Sequence, residues 1–420
     1  MSNPVRITRR GFLKTSSAAI ATLGLGSCAT RRPLTAASAA RVIGANDRIA
    51  IGLIGAGGMG TVNMVACMRE PNVRVAALCD LAEFRIQAAI EHTKNQPGGP
   101  AEGVFVDYRR ILDNRDIDAV IIATPDHWHY RVFLDSIAAG KHVYQQKPMC
   151  HTIEQGLEMV RASRANPRQV VQIGTQRRSG RQYAQAKEFI DAGKLGRITF
   201  IRCWDTRNWV HDDPFKPRPF QGKLDWDRFQ EPCARNQKVP FDPQRYFAWR
   251  WYWAYAGGLV NDVGVHVMDV VHWLTGNDTP KTAVANGGVY GLKYWETPDV
   301  VNCVWDYGTH SVAFLGNFNN GFLNAGLTLY GTDATMEVLG FDGHIVVKAE
   351  DGKLTQIAEF KPQNDSHEAN WLRAIRGIEK VHAPVELGFQ SLLPSLLANL
   401  AYRSGRKLAW DPARQKVVEA

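Results

Sequence analysis

The first half of the chain alternates between short apolar runs and stretches with helical spacing. Four apolar runs have the length and the β-branched content of buried strands: 48–54, 73–79, 116–123 and 141–144. Helical patterns at 61–69 and 130–139 separate some of these runs, and Gly140 is placed to end the second helix. Buried strands that alternate with helices predict a parallel sheet, whose ligands bind at the carboxyl ends of its strands.

The second half of the chain follows a different pattern. The stretch 177–192 is typical of a loop and a helix that ends at Gly193, and 259–274 has helical spacing. Seven strand-like stretches are spaced by turns rich in glycine and asparagine: 198–204, 282–290, 300–307, 311–318, 326–330, 334–339 and 344–348. Such a pattern predicts an antiparallel or mixed sheet. We therefore predict an α/β protein, with a doubly wound parallel sheet over 46–172 and a second domain over 173–415.

The first predicted strand runs into a glycine-rich turn with the spacing G-x-G-x-x-G. The turn comprises Gly55, Ala56, Gly57, Gly58, Met59 and Gly60. Gly57 lets a pyrophosphate approach the backbone, and Gly60 lets the following helix pack closely against the strand. Asp80 ends the second strand, 20 residues beyond the last glycine, where a carboxylate accepts hydrogen bonds from the adenosine ribose. This context predicts a Rossmann domain that binds NAD, with NADP disfavoured because Asp80 repels a 2′-phosphate.

Two polar motifs follow further strands of the same sheet. Residues 124–129 read TPDHWH, and residues 145–148 read QQKP. Topology places both motifs beside the cofactor, because the carboxyl ends of parallel strands meet at one edge of the sheet. The further residues expected to contact NAD are Thr124, Pro125, His129, Lys147 and Gln176.

Together these motifs resemble those of the Gfo/Idh/MocA oxidoreductases. The run from Gly257 to Gly276 resembles the same family, so that the resemblance spans roughly 46–415. It implies a second α/β domain with a large, open, mostly antiparallel sheet, which carries the substrate site and often the oligomer contact. A small carbohydrate substrate and a homo-oligomer are therefore expected. The family usually has glutamate before Lys-Pro, whereas Gln146 is neutral and supplies no negative charge to Lys147.

Asp262 and His266 are four residues apart in a helical pattern, so their side chains share one face. Oxidation of a secondary alcohol needs a base for the hydroxyl proton, and histidine titrates near neutral pH. Asp262 can orient His266 or hold a substrate hydroxyl, and Lys147 can bond to the oxygen on which negative charge develops. The resemblance implies that Lys147, Asp262 and His266 form the catalytic set. This chemistry needs no metal, and we expect none.

Residues 204–255 form a long segment rich in aromatic residues and proline, which we call the aromatic segment. Irregular segments of this length inside a domain are usually functional. Aromatic faces also suit the C–H-rich faces of sugar rings. We expect most of these aromatic side chains to pack the segment onto the sheet, with one or two lining the site.

The net charge of +9 is concentrated near the amino terminus. Residues 1–40 hold six basic residues and no acid, so the remainder carries too little charge to imply a nucleic acid partner. Residues 8–14 match a twin-arginine consensus, and the apolar stretch at 15–27 is too short to span a bilayer. We expect 1–40 to be a twin-arginine signal and linker, which sends the protein to the periplasm.

Cys28 ends a lipobox-like sequence, so a lipid anchor at this residue competes with ordinary cleavage after 37–39. The other six cysteines are scattered without metal-ligand spacing, and we expect neither a disulfide framework nor a structural metal. The twin-arginine route carries folded proteins, so we expect export with NAD already bound. Free NAD is not expected outside the cytoplasmic membrane, and a retained cofactor must return its hydride to another substrate.

Three functions are compatible with these features. The first is a sugar, glycoside or polyol dehydrogenase that acts on a secondary alcohol. The second is a redox-neutral glycosidase or lyase that works through transient oxidation of the sugar. The third is a non-catalytic sugar-binding relative, which the intact Lys147, Asp262 and His266 disfavour. We predict an oxidoreductase acting on CH-OH groups with tightly bound, recycled NAD.

Overall fold

The computed structural model describes residues 48–216, 218–277, 279–340 and 342–420. The predicted twin-arginine signal, Cys28 and both cleavage sites lie outside these residues. Among the helices of the described ranges, none is long and apolar enough to cross a membrane. The six cysteines that the structure describes are all buried and free.

A six-stranded parallel sheet forms the first domain. Its strands are β1 Ile49–Ile54, β2 Val73–Cys79, β3 Gly103–Phe105, β4 Ala119–Ile122, β5 His142–Gln145 and β6 Val171–Ile173. Their order in the sheet is β3-β2-β1-β4-β5-β6, so the order reverses between β1 and β4. Every residue of β1 and β4 is buried, which explains the continuous apolar pattern of these strands. Ligands of such sheets bind at the carboxyl ends of the strands beside this reversal.

Five helices accompany these strands. They are α1 Gly58–Met68, α2 Glu83–Lys94, α3 Arg109–Leu112, α4 Asp126–Ala138 and α5 Ile153–Ala165. α1 begins inside the glycine-rich turn, and α4 begins four residues before the predicted start. Pro125 precedes α4, and an acidic first residue, Asp126, interacts favourably with the dipole of the helix. The motif TPDHWH is therefore a strand end followed by the first turn of a helix.

A ten-stranded sheet forms the second domain. Its strands are β7 Phe200–Thr206, β8 Thr282–Gly288, β9 Val300–Asp306, β10 Ser311–Asn317, β11 Ala325–Tyr330, β12 Ala334–Leu339, β13 His344–Ala349, β14 Gln356–Phe360, β15 Leu408–Asp411 and β16 Lys416–Glu419. The order is β14-β13-β12-β11-β7-β10-β9-β8-β15-β16, and only β7 and β10 pair in parallel. Alternate residues of β9 and β10 are buried, because one face packs on the core and the other is solvated. All seven predicted strands are confirmed, whereas β14, β15 and β16 are short and were not predicted.

Six further helices follow along the chain: α6 Arg181–Asp191, α7 Trp226–Phe229, α8 Pro243–Phe247, α9 Val265–Thr275, α10 His367–Ile375 and α11 Val385–Ser404. α6 and α11 pack against strands of the second sheet, whereas α10 packs against the first domain. The helix predicted over 259–274 is a π-helical turn, Val260–Gly264, followed by α9. Such π-helical turns are frequent at functional sites. Asp269 of α9 accepts hydrogen bonds from Arg178 at 2.9 Å and from Ser391 of α11 at 2.7 Å, which hold α9 in place.

The chain returns to the first domain near its carboxyl end, which corrects the predicted domain boundary. Trp371 and Leu372 of α10 belong to one apolar cluster with Ile49 of β1 and Tyr144 of β5. The apolar face of α10 therefore covers the first sheet. One break between 172 and 173 cannot describe this packing, because the helix that completes the first core comes from the far end of the chain.

Candidate active site

A cavity of about 470 Å³ lies where the carboxyl ends of the parallel strands meet the aromatic segment. Its volume is typical of ligand pockets, which measure about 300–1,000 Å³. Eight of the twelve residues predicted to contact NAD line it: Gly55, Gly57, Gly58, Met59, Asp80, Thr124, Pro125 and Lys147. Of the three residues predicted as catalytic, Lys147 and Asp262 line the same cavity, whereas His266 is not among its lining residues.

The glycine-rich turn leaves open space where side chains would otherwise stand. A Cβ atom at Gly57 or Gly58 would meet nothing within 4 Å, whereas one at Gly60 would lie 2.1 Å from the carbonyl oxygen of Gly55. No side chain caps α1, and the free N–H groups of a first helical turn suit a pyrophosphate. The buried hydroxyl of Thr124 has no partner among the described residues. These features fit a bound dinucleotide.

Asp80 faces the cavity from the end of β2. Its carboxylate accepts hydrogen bonds from the backbone N–H of Ala56 at 2.8 Å and from that of Ala82 at 2.9 Å. Burial raises the pKa of Asp80, and these backbone bonds offset part of the increase. The carboxylate is thus held by the backbone and keeps lone pairs for ribose hydroxyls. Arg85, whose charge also lowers the pKa of Asp80, lines the cavity as well.

Four predicted cofactor contacts lie outside the cavity walls: Ala56, Gly60, His129 and Gln176. His129 is a correction, because it is 1% exposed and its ring nitrogens lie 2.7 Å from the carbonyl oxygens of Thr124 and Pro148. Burial lowers the pKa of His129 to about 4, so the neutral ring donates to one of these carbonyls. The ring lies between the turn that carries Lys147 and the end of β4. Gln176 lies on a 3₁₀ turn after β6.

Lys147 and Asp262 form the charged centre of the site, although they are 115 residues apart in the sequence. The Nζ atom of Lys147 donates to Oδ1 of Asp262 at 2.9 Å and to its carbonyl oxygen at 2.7 Å. The Nε atom of Arg250 lies 3.5 Å from the same carboxylate oxygen. Burial raises the pKa of Asp262, but Lys147 and Arg250 outweigh it and hold the pKa well below its usual value. The pair joins the turn after β5 to the π-helical turn before α9.

His266 lies one turn beyond Asp262 and is half-buried. Its ring makes no hydrogen bond to any residue that the structure describes, since Asp262 bonds to Lys147 instead. A cation competes for a carboxylate better than a neutral imidazole does, because charge-assisted hydrogen bonds are stronger. Burial lowers the pKa of His266 well below its usual value, and the charges of Lys147 and Arg177 lower it further. The imidazole is therefore neutral at pH 7 and free to accept a proton.

Asp126 is a site residue that the sequence analysis missed. It lies on the first turn of α4, lines the cavity and is 3% exposed. Burial, and then the nearby Asp262, raise the pKa of Asp126 to about 8 against the opposing charges of Arg250 and Lys147. The carboxyl therefore holds its proton at neutral pH. An acidic residue directly after Thr-Pro at a strand end could have indicated a site residue. The sequence, however, does not show whether a cation pairs with this carboxyl.

Gln146, where the family usually has glutamate, takes part in a buried chain of hydrogen bonds. Its Nε2 donates to Oδ1 of Asn63 at 2.7 Å, and Asn63 donates to Oε1 of Glu368 at 2.5 Å. The hydroxyl of Tyr144 donates to the same Glu368 oxygen at 3.2 Å. The acidic residue of this chain of hydrogen bonds is therefore Glu368, and the amide at 146 supplies a donor to Asn63.

The aromatic segment forms one wall of the cavity. More of its aromatic side chains face the cavity than the one or two that we predicted. They are Phe215, Phe229, Tyr246, Phe247 and Trp249. Others pack within the domain, as expected, since Trp251 stacks on Trp295 with ring centroids 3.9 Å apart. The difference arises because the segment also reaches the first domain, where Phe220 contacts Phe84.

Comparison with known proteins assigns both domains. Residues 49–175 match the model of an oxidoreductase family with an NAD-binding Rossmann fold, and residues 233–346 match the GFO/IDH/MocA C-terminal domain. An inositol 2-dehydrogenase from Pseudarthrobacter chlorophenolicus is 27% identical over 244 residues, which cover 58% of this chain and 59% of that protein. Glycosyl hydrolase family 109 protein 2 from Shewanella sp. strain ANA-3 is 34% identical over 164 residues, which cover 36% of each chain.

Solved structures share the fold of this chain. Levoglucosan dehydrogenase in complex with NADH and levoglucosan superposes with a TM-score of 0.67 at 19% identity, over 86% of this chain and 99% of that chain. The predicted fold, a parallel-sheet domain followed by a domain with a large, mostly antiparallel sheet, is confirmed. The chain belongs to the Gfo/Idh/MocA family of oxidoreductases, and its first domain is that family's NAD-binding Rossmann domain.

Proposed function

We propose that this protein oxidises a secondary alcohol of a sugar, glycoside or polyol with NAD that stays bound between turnovers. The observation that carries the proposal is the Lys147–Asp262 pair, one turn from the neutral His266, at a cavity that fits a dinucleotide. The similar dehydrogenases named for inositol and levoglucosan support a polyhydroxylated substrate.

Three side chains divide the work on the substrate hydroxyl. When bound, NAD supplies the hydride acceptor. His266 accepts the hydroxyl proton on its imidazole, which is neutral at pH 7. Lys147 donates a hydrogen bond to the same oxygen and stabilises its developing negative charge. Asp262 holds the Lys147 ammonium in place through the 2.9 Å bond.

Contacts of the aromatic segment with the first domain support retention of the cofactor. Leu224 forms an antiparallel bridge with Ala82, and Phe220 packs edge-on against Phe84 with ring centroids 5.2 Å apart. These contacts lie at the start of α2, a few residues after Asp80. They join the aromatic segment to the residues that follow Asp80, so we expect them to slow the release of NAD.

The proposal includes export of the protein, which the twin-arginine motif indicates. The twin-arginine consensus at 8–14 supports transport of the folded, NAD-loaded protein to the periplasm, with a lipid anchor at Cys28 as one of two processing routes. Hydride must then return to a second substrate in each cycle. We also propose a homo-oligomer, for which the exposed face of the second sheet, with Val304 and Leu315, is the available surface.

A redox-neutral glycosidase or lyase is the second candidate. Transient oxidation acidifies the neighbouring C–H bond, a leaving group departs, and the hydride returns. The similarity to the family 109 glycosyl hydrolase favours this candidate. Asp126 favours it too, because a simple dehydrogenase needs no protonated acid beside the Lys147–Asp262 pair.

Nucleotide released by denaturing the purified protein tests retention directly. We expect mass spectrometry to find close to one NAD per chain. A protein that is purified without nucleotide, and that binds NAD only at millimolar concentrations, contradicts the proposal.

A substrate panel then separates the candidates. The holoprotein is incubated with inositol, levoglucosan, free sugars and glycosides, and the absorbance of reduced nicotinamide and the product masses are followed together. A dehydrogenase accumulates reduced cofactor until an acceptor sugar is added, whereas a glycosidase or lyase forms cleaved product without net reduction. Neither signal from any compound, with NAD still bound, favours a non-catalytic relative.

A further inference from the structure

Five basic side chains line the cavity: Arg85, Lys147, Arg218, Arg228 and Arg250. Three of these five are paired with carboxylates of the protein. Lys147 and Arg250 share Asp262, at 2.9 and 3.5 Å. The guanidinium of Arg228 lies 3.5 Å from the carboxylate of Asp107. These three cations therefore already have carboxylate partners before any ligand binds.

Arg85 and Arg218 form no ion pair with any residue that the structure describes. Arg85 is half-buried on the first turn of α2, in the first domain. Its charge lowers the pKa of Asp80, but the backbone N–H groups of Ala56 and Ala82 hold that carboxylate. Arg218 is exposed and belongs to the aromatic segment of the second domain. The cavity thus has two positive charges without a carboxylate partner among the described residues, one from each domain.

Aromatic rings hold both of these guanidinium groups in place. The Cζ atom of Arg85 lies 4.9 Å from the ring centroid of Phe84. The Cζ atom of Arg218 lies 4.7 Å from the ring centroid of Phe247, and the two rings pack together with centroids 6.2 Å apart. A ring covers the face of a guanidinium and leaves the N–H groups at its edge able to donate. One packed pair of rings therefore supports both Arg85 and Arg218, which we call the arginine pair.

Hydrogen bonds fix the position of the segment that carries Arg218. The backbone N–H of Glu83, the first residue of α2, donates to the carbonyl oxygen of Lys223 at 2.9 Å. In return, the backbone N–H of Lys223 donates to the Glu83 carboxylate at 3.1 Å. These bonds bring a cation of the second domain to the end of the cavity where Asp80 lies.

The glycine-rich turn brings no charge to the cofactor. Residues 55–62 contain neither a basic nor an acidic side chain. Backbone N–H groups at the start of a helix bind a pyrophosphate, but burial of its negative charges is unfavourable without cations nearby. The charge of a dinucleotide must therefore be balanced by side chains outside the turn.

We propose that Arg218, together with Arg85, binds the pyrophosphate of the dinucleotide, so that the aromatic segment holds the cofactor through charge as well as through contact. A guanidinium matches two phosphate oxygens with parallel hydrogen bonds. The 2′-phosphate of NADP offers the same chemistry, but Asp80 faces the ribose and repels it. The arginine pair gives a physical cause to the retention of NAD proposed above and does not depend on the redox chemistry.

Release of NAD from the purified full-length holoprotein tests the arginine pair without turnover. The holoprotein is mixed with excess ADP-ribose, which captures emptied sites, and NAD in the filtrate is followed by mass spectrometry at low and high NaCl. Arg218→Gln should release NAD about 10–100-fold faster than wild type, the size of a charge-assisted hydrogen bond. Added NaCl should accelerate release from wild type and have a smaller effect on the variant.

Three further variants separate charge from packing. Arg218→Lys should regain part of the loss, because it keeps the charge and lacks the planar fork. Arg218→Met keeps an apolar side chain over Phe247 without the charge, so it should release NAD as fast as Arg218→Gln. Arg235→Gln, at an exposed position of the same segment that does not line the cavity, is the matched control and should behave as wild type. Slow release from Arg218→Met would show that Arg218 only packs on the ring, and would overturn the proposal.

Displacement of NAD by other nucleotides identifies the part of the cofactor that Arg218 contacts. Adenosine has no phosphate, so it should displace NAD about 10–100-fold more readily from Arg218→Gln than from wild type. ADP-ribose keeps the pyrophosphate, so its displacement of NAD should be the same in both proteins. Weaker displacement by NADP alone would assign Arg218 to a 2′-phosphate, and equal displacement by adenosine from both proteins would place Arg218 away from the pyrophosphate. Either result overturns the proposal.

The outcomes separate this proposal from the proposed function. If NAD release is slow and equal in all variants, the cofactor is retained and the arginine pair does not hold it. If wild type is purified without NAD, thermal stabilisation by added nucleotide replaces release as the measurement. ADP-ribose that stabilises wild type more than Arg218→Gln, with adenosine equal on both, then upholds the arginine pair and refutes retention. Equal stabilisation of both proteins by ADP-ribose overturns the arginine pair.

Discussion

The two ends of the cavity are built in different ways. The cofactor end consists of consecutive residues, the turn 55–60, and of Asp80, which the backbone N–H of Ala56 holds at 2.8 Å. The substrate end consists of side chains from separate parts of the chain, Lys147 after β5 and Asp262 on the π-helical turn. The first end is defined by backbone shape and the second by paired charges.

This difference determines how substitutions act at each end of the cavity. Backbone shape is set locally, so the cofactor end retains its ligand as long as the turn retains its glycines. At the substrate end, Lys147 and Arg250 share the Asp262 carboxylate, so replacing one side chain changes the charge of the site. Substitutions at the substrate end therefore act through electrostatics, whereas substitutions in the turn act through the shape of the backbone.

Removing His266 or Lys147 should give the largest effect on the rate of reaction. This effect should be confined to the substrate end. His266→Ala should slow single-turnover reduction of bound NAD by about 10²–10⁴-fold, and Lys147→Met by about 10²–10³-fold. The double variant should be little worse than the worse single variant, because the residues act as a unit. NAD content and melting temperature, measured on the same samples, should remain close to wild type. Turnover that persists in well-folded Lys147→Met would refute the assignment.

Two glycine substitutions should separate two roles of the glycine-rich turn: close packing within the protein and space for the ligand. Gly60→Ala places a Cβ atom 2.1 Å from the Gly55 carbonyl oxygen, so we expect it to lower the stability of the protein by about 1–3 kcal/mol and to release NAD. Gly57→Ala meets no protein atom within 4 Å and should weaken NAD binding while the nucleotide-free protein melts normally. Equal melting temperatures for the two nucleotide-free variants would contradict this distinction.

Cofactor choice should depend on Asp80, which lines the cavity at the end of β2. Asp80→Ala should weaken NAD binding about 10–100-fold, because it removes a charged hydrogen-bond acceptor, and should reduce discrimination against NADP. Arg85, which lines the cavity, should then favour the 2′-phosphate. Affinities for both nucleotides are measured by titration of nucleotide-free protein. If neither affinity changes, the ribose does not contact Asp80.

Asp126 should give the smallest effect, visible as a pH dependence of stability. Its pKa is about 8 in the folded protein, against about 3.9 for an ordinary aspartate, because burial and Asp262 outweigh Arg250 and Lys147. Folding therefore takes up a proton, and the folded state loses stability as the pH rises from about 4 to about 8.

Asp126→Asn should abolish this loss. The variant should melt together with wild type near pH 4 and above it near pH 8, where the buried carboxyl of wild type loses its proton. Asp227→Asn, an exposed position, is the control and should follow wild type throughout. Parallel melting curves for all three proteins would place an ionised carboxylate at 126.

The sequence alone predicted those features that depend on local pattern. The buried strands β1 and β2, the seven strands of the second sheet and the glycine-rich turn were all identified, because strand periodicity and glycine geometry are properties of neighbouring residues. The resemblance also brought Lys147, Asp262 and His266 to attention. Their helical and topological placement was predicted, but the hydrogen bond of Asp262 to Lys147 was not among the two roles that we gave Asp262, which were to orient His266 or to hold a substrate hydroxyl.

Only the tertiary structure decided the pairings. Lys147 takes the Asp262 carboxylate, and the buried ring of His129 lies between the carbonyl oxygens of Thr124 and Pro148. Among the described residues, no cation forms an ion pair with Asp126. α10 completes the first core from the far end of the chain. The physical reason is that a charge or an apolar face acquires its partner from the elements that pack against it, and no local pattern in the sequence states which elements those are.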